Sequence, residues 1–293
     1  AARALYDEST GRATTLITIE TPDPSWPLPL LRRIVGAWFR SGMSLDADRL
    51  AIEIGANRKM PLEIRVFAWQ ALAQWFDPPP VDLVTGKWGP LGERDRQFDG
   101  LTEVAHDAVR ATLKDQQPAV VDAALMAVAA QRLAALTPTV RDLAFTESSP
   151  VTTRIAALGC WTELATEEEL AAQLPELLES DVPRLRSAAR TFWIKIRPED
   201  AVQLLAEALA SGDVAEQQAA LRDLGRLDGE ASEQLLSTWL DRLAAGRVRP
   251  EITLDLIEAA ETHGGESLQS KLERLTAARP TDDPVAMYRD CLV

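Results

Sequence analysis

The sequence predicts an all-α fold: an α-α superhelix of about seven stacked helical hairpins. Three observations carry this. Ala, Leu, Glu and Arg dominate, while aromatic residues make up 5% of the chain and β-branched runs are scarce, a composition that favours helix. A pattern of Pro or Asp, then a polar, a small and a large residue, recurs along the chain. The intervals between its recurrences match the length of two helices and two turns.

The recurrences run as follows. Pro61 leads to Arg65, Ala68 and Leu72; Pro150 to Arg154, Ala157 and Trp161. Asp181 leads to Arg186, Ala189 and Trp193; Asp213 to Gln217, Ala220 and Leu224. Pro118 with Asp122, and Pro250 with Thr253, are poorer matches. Together with Arg33, the polar markers stand at 33, 65, 122, 154, 186, 217 and 253, with spacings of 32, 57, 32, 32, 31 and 36. Two helices of about 14 residues with their turns fill such an interval.

The expected helices pair as 27–41 with 45–56, 61–76 with 99–114, 118–134 with 137–146, and 150–164 with 167–179. They continue as 183–196 with 198–211, 214–227 with 230–245, and 250–262 with 265–277. Pro61, Pro118, Pro150, Pro183 and Pro250 stand where first helices open, a position that tolerates the missing N–H. Ser149 is a fitting N-cap, and Thr166 with Glu169 reads as a capping box. Gly212, Gly229 and Gly246 mark later breaks. Each helix carries one apolar stripe, such as Leu170, Leu174, Leu177 and Leu178, which a lone hairpin cannot bury. The whole chain, 1–293, is therefore expected to be a single solenoid of the HEAT type.

The one long interval comes from residues 77–98, a Pro- and Gly-rich insertion within the second hairpin. An insertion at a turn adds surface and leaves the stacking intact. It carries Trp88 between Gly86, Lys87, Gly89 and Pro90. A Trp in such a loop either pins the loop to the edge of the array or anchors a partner. The pin is the expected role. Trp38, Trp69, Trp161 and Trp193 fall inside first helices and are expected in the core, and Trp26 is a candidate staple before the first helix.

Several chemistries lack their residues. The net charge of −14 shows no basic stripe, which argues against nucleic acid. No run of 18 apolar residues exists for a membrane span. Cys160 and Cys291 form no CxxC or CxxCH, and Cys160, beside Leu158 and Trp161, reads as a buried structural thiol. His106 and His263 are the only histidines and lie far apart, so they read as surface or capping residues. The His-Glu pair expected of iron-dependent hydroxylases built on HEAT repeats does not occur, nor does a GxSxG or P-loop pattern. No metal, haem or nucleotide site is expected in this chain.

Charge is unevenly placed. Residues 1–146 carry 16 Lys+Arg and 18 Asp+Glu, a net of −2; residues 147–293 carry 15 and 27, a net of −12. Glu167, Glu168, Glu169, Glu199, Asp200, Glu230 and Glu233 gather at the openings of second helices. Complementarity to the helix dipole accounts for much of this. The surplus in the second half also suggests an acidic wall that docks a basic surface.

The stretches Ala2-Arg3-Ala4-Leu5-Tyr6-Asp7, Arg32-Arg33, Trp75-Phe76-Asp77-Pro78-Pro79-Pro80 and Val84-Thr85-Gly86-Lys87-Trp88-Gly89-Pro90-Leu91 resemble the HEAT region of PVC-type haem-binding CxxCH proteins. Those modular proteins are similar to membrane-bound dehydrogenases and place a HEAT array between a β-propeller and a c-type cytochrome. The closing Tyr288-Arg289-Asp290-Cys291-Leu292-Val293 resembles the lead-in to that cytochrome. The resemblance implies an exported, periplasmic redox setting, and the opening residues read like a helix already under way, so the chain is expected to be cut from something longer. The resulting expectation is a non-catalytic scaffold and protein-docking module, not an enzyme, whose partner is an attached or separate cytochrome-like domain. A free-standing adaptor that holds a peptide or protein in its groove is the alternative. Among enzymes on related arrays, a DNA glycosylase would need a basic groove and a bilin lyase a pigment pocket.

Overall fold

A computed structural model of the chain describes residues 21–91 and 100–277. The N-terminal motif, residues 92–98 of the insertion, and the closing segment with Cys291 lie outside the described residues. The chain divides into two compact units, residues 1–166 and 167–293.

The first unit contains α1 (Leu28–Ser41), α2 (Ser44–Arg49), which runs on into a π-helical turn (Leu50–Gly55), α3 (Leu62–Ala73) and α4 (Glu103–Thr112). It continues with α5 (Pro118–Ala130), α6 (Thr137–Phe145) and α7 (Val151–Leu164). The second unit contains α8 (Glu167–Leu178), α9 (Pro183–Ile196), α10 (Ala201–Ser211), α11 (Val214–Leu224), α12 (Glu230–Ala244), α13 (Thr253–His263) and α14 (Glu266–Ala277). All fourteen expected helices are present. The only β pairing among the described residues is an isolated antiparallel bridge between Val81 and Trp88.

The helices stack as a repeat array requires. In the first unit α1, α3, α5 and α7, the first helices of successive hairpins, pack side by side. In the second unit α9, α11 and α13 form one row, and α10, α12 and α14 another. The core of the first unit is built on Trp38, Trp69, Trp75 and Trp161, all essentially inaccessible to solvent. Leucines fill the second, among them Leu205, Leu221, Leu236 and Leu256, with Trp239 at its margin. Trp193 departs from expectation. It is half-buried, and its Nε1–H donates to Asp200 at 3.0 Å, because a Trp beside the polar start of the next helix can satisfy its polar edge there.

The recurring polar marker has a physical role. The last carbonyls of a helix have no partner within it, and buried ones must find one elsewhere. Arg65 Nε–H donates to the Gly55 carbonyl at 2.9 Å, and Arg154 Nε–H to Ala144 at 3.0 Å. Arg186 Nη1–H donates to Ser180 at 2.6 Å, and Gln217 Nε2–H to Leu209 at 2.7 Å. These four markers thus reach back to the end of the preceding second helix and tie one hairpin to the next, whereas Arg33 Nη1–H donates at the start of its own helix, to Pro29 at 3.0 Å. Asp122 and Thr253, the poorer matches, do other work. Asp122 accepts from Thr153 Oγ1 at 2.8 Å, and Thr253 bonds only within its own turn.

N-caps are mixed. Asp213 and Glu216 form a full capping box on α11. At α7 the N-cap is Pro150, one residue after the expected Ser149, and no side chain caps it. Proline there leaves the first turn open without the help of a serine.

Close approach also explains Gly55. A Cβ at this position would lie 2.6 Å from Cε2 and 2.7 Å from Nε1 of Trp69, whose ring is fully buried. The ring cannot swing away as a flexible side-chain tip would. Gly55→Ala is expected to destabilise the protein by about 1–3 kcal/mol, the usual cost of overpacking. Thermal denaturation checks this, and an unchanged midpoint would show that the π turn can give way.

Candidate functional site

Trp88 occupies the most exposed position among the large apolar side chains described, at 75%. The loop beneath it is well fixed. Asp82 N–H donates to Lys87 O at 2.8 Å, Gly86 N–H to Asp82 O at 2.9 Å, and Gly89 N–H to Pro80 O at 3.0 Å. Asp82 Oδ1 accepts from the Val84 and Thr85 N–H groups and from the Thr85 hydroxyl, and Oδ2 pairs with Arg40 of α1 at 3.2 Å.

The expectation that Trp88 pins the loop is therefore corrected: Asp82 pins it. The reason is the alternation of an extended chain. Residues paired across a bridge share one face, and their neighbours point the opposite way. Val81 and Trp88 are bridge partners and both face solvent, while Asp82, next in sequence, turns inward to Arg40. Exposed large apolar side chains concentrate in this unit. Met43, Leu45, Phe76, Val81 and Trp88 are all at least 40% exposed, and in the second unit Leu254 alone joins this class among the described residues.

The acidic residues lie where the sequence places them, at helix openings of the second unit, though not as equals. Glu167, Glu168 and Glu169 are exposed on the first turn of α8, and Glu167 stands 3.7 Å from Arg197. Glu199 is exposed in the short 3₁₀ turn before α10, whereas Asp200 in the same turn is the acceptor for Trp193. Glu230 accepts from Gln234, and Glu233 is half-buried against Gly265. Asp200 and Glu233 thus have structural work, and the carboxylates with the greatest access to solvent are those at the start of α8 together with Glu199 and Glu230.

The other candidates resolve as follows. Cys160 is buried, and burial together with the nearby Glu163 charge pushes its thiol up to about 12, far from a reactive thiolate. His106 is half-buried, its Nδ1 3.8 Å from Glu103. His263 ends α13, and its Nε2 lies 3.1 Å from the Ser232 hydroxyl; that serine is 1% exposed, too enclosed to meet a substrate. Among the described residues no group of three or more His, Cys, Asp or Glu is arranged to hold a metal, and no helix is long and apolar enough to cross a membrane.

Sequence reasoning missed one feature. A cleft of about 560 Å³ opens in the first unit between the turns at 113–118 and 146–150. It is lined by Val121, Leu143, Lys114, Ser149 and Asp115 among others. Burial alone would raise the Asp115 carboxyl, but hydrogen bonds from Arg65 and the Gln117 N–H, with the charges of Arg65 and Arg58, hold it below the ordinary value. A cleft of this kind comes from the spacing of two turns, which leaves no motif in the sequence.

No protein-family model matches the chain, and no curated protein matches it. Solved structures do. The complex of CpcE and CpcF of phycocyanin lyase from Nostoc sp. PCC7120 aligns with a TM-score of 0.44 at 15% identity, over 91% of this chain and 94% of that one. Human deoxyhypusine hydroxylase in complex with glycerol aligns with a TM-score of 0.37 at 16% identity, over 99% and 96%. These are HEAT-like helical repeat proteins, and the likeness is one of fold alone. The haem-binding family that residues 75–91 resemble gains no support from these findings. The expectation that the chain is not an enzyme is also corrected: the two solved proteins are by name a lyase and a hydroxylase, so a helical-repeat array is no ground for denying catalysis. Neither activity is carried to this chain by so distant a likeness.

Proposed function

We propose that this HEAT-like chain serves as a protein-docking module whose contact is centred on the Trp88 loop. The observation that carries the reading is an indole held 75% exposed on a loop fixed by Asp82 and Arg40. A rigid loop presents its side chain at little entropic cost on binding, and Trp is among the residues that most often dominate an interface. Val81, on the same face of the bridge, extends the apolar surface.

A second reading rests on the three consecutive exposed carboxylates of α8. There the second unit docks a basic protein surface, such as the c-type cytochrome of an exported redox protein that the motif resemblance implies. Salt screens such a contact, and it leaves an apolar anchor unaffected.

One experiment separates the two. Partners are captured from the source cell with the wild-type protein, with Trp88→Ser, and with the Glu168→Lys/Glu199→Lys double variant, at low and high salt. The first reading expects Trp88→Ser to lose a specific partner by about 30-fold or more in affinity, at either salt, with an unchanged melting temperature. Loss only in the charge-reversed protein, and only at low salt, supports the second. A partner retained equally by all three proteins would sink both readings.

A further inference from the structure

The first turn of α2 encloses a carboxyl that docking does not use. Asp46 is 2% exposed. It receives a short hydrogen bond from the hydroxyl of Ser41, the last residue of α1, whose oxygen also accepts from Met43 N–H at 3.3 Å and lies 2.8 Å from the Trp38 carbonyl. The nearest cation is Arg49, with Nη1 3.6 Å away, and that guanidinium is shared. Its Nε–H donates to Glu53 at 3.1 Å, and its plane lies 4.3 Å over the Trp38 ring. Asp46 is thus an enclosed carboxyl with a hydroxyl close by and only part of an arginine.

We infer that this turn is an acid-tightened latch: proton uptake by Asp46 firms the hold of residues 41–49 on the end of α1. The physical argument starts from the cost of enclosing a charge, which an imperfect ion pair does not offset. A neutral carboxyl avoids that cost and keeps its hydrogen bond to Ser41. The charges acting on Asp46 are Arg49, which favours the ionised form, and Glu53, which opposes it. Of the other charged groups close by in sequence, Arg40 is turned to Asp82, and Asp48 accepts from the Thr102 N–H at 3.1 Å.

Linkage gives the direction. Burial, the largest influence, lifts the carboxyl above its ordinary 3.8; the Ser41 hydrogen bond and Arg49 oppose this, and Glu53 adds to it. A folded acid with a raised value binds its proton more tightly than the unfolded chain does. Local stability therefore rises as pH falls through the raised value, and the gain is complete below 3.8, where both states are protonated. In the chain Ser41 directly follows Arg40, the partner of Asp82 at the base of the Trp88 loop.

The test is amide hydrogen exchange, corrected for the intrinsic pH dependence, together with a carbon-13 titration of the Asp46 carboxyl in the wild type. Protection of the amides of residues 44–50 is expected to rise about threefold or more between neutral and mildly acidic pH, while α11 shows no such gain. Asp46→Asn, a neutral mimic, is expected to hold the acid level of protection at neutral pH and to lose the pH dependence. Wild-type protection that is flat or falls with acid overturns the inference, as does an Asp46 carboxyl that titrates at or below the ordinary value. The carboxyl titration needs no variant, so it decides the matter even where Asp46→Asn fails to fold.

Discussion

Trp161→Ala is expected to destabilise the first unit by about 3–5 kcal/mol, the range for truncating a large aromatic in a closed core. Trp161 is 1% exposed on α7, and Phe145, at the end of α6, meets its ring edge-on with centroids 5.8 Å apart. Alanine removes that contact and leaves a cavity on α7, which packs against α5 and α6. The companion variant Trp193→Ala is expected to cost less, about 1–2 kcal/mol, because Trp193 is half-buried and gives up little beyond partial burial and one hydrogen bond to Asp200. Urea denaturation of both variants checks the contrast through the midpoint at constant slope. Equal losses at the two sites would mean that burial does not rank these two tryptophans.

Glu216→Gln is expected to cost about 3 kcal/mol at neutral pH, because removing one member of an enclosed ion pair strands the others. Glu216 is 2% exposed in α11 and accepts from two arginines of α9: Arg186 at 2.7 and 3.0 Å, and Arg190 at 3.4 Å. It also closes the capping box with Asp213. The figure lies toward the lower end of the range for buried pairs, since the Arg186 side chain is 27% exposed and can turn partly to water. Burial alone would raise the carboxyl, yet the Arg186 hydrogen bonds, the Asp213 N–H and the arginine charges hold it below its ordinary 4.5. An acid with a lowered folded value contributes stability that is complete above 4.5 and is lost as pH falls through the lowered value. The gap between wild type and Glu216→Gln should therefore narrow on acidification below 4.5. Stability curves for the two proteins from pH 7 to pH 3 test this, and a gap that stays constant would show that the carboxylate's charge is irrelevant.

The opposite behaviour of Asp46 and Glu216 shows where reading by pattern stops. Both are enclosed acids near arginines. One faces a single shared guanidinium at 3.6 Å; the other is gripped by a guanidinium fork. Nothing in the local sequence around residues 46 and 216 distinguishes these surroundings, because the partners of Glu216 lie 30 and 26 residues away.

The sequence by itself determined the helices and their repeat. Helix openings and breaks are local, written in Pro, Gly and the apolar stripe, and the repeat interval is a length that two helices must fill. It also marked Arg65, Arg154, Arg186 and Gln217 without saying what they do. Their role is to reach a carbonyl between 6 and 10 residues upstream, a reach that exists only once the hairpin has closed. The tertiary structure alone decided the candidate site. It turned Asp82 inward and Trp88 outward, gave Asp200 to Trp193, and left Trp193 half-exposed. Orientation about a loop, and the sharing of charge between neighbouring helices, depend on which groups meet in space, and a one-dimensional pattern holds no record of those distances.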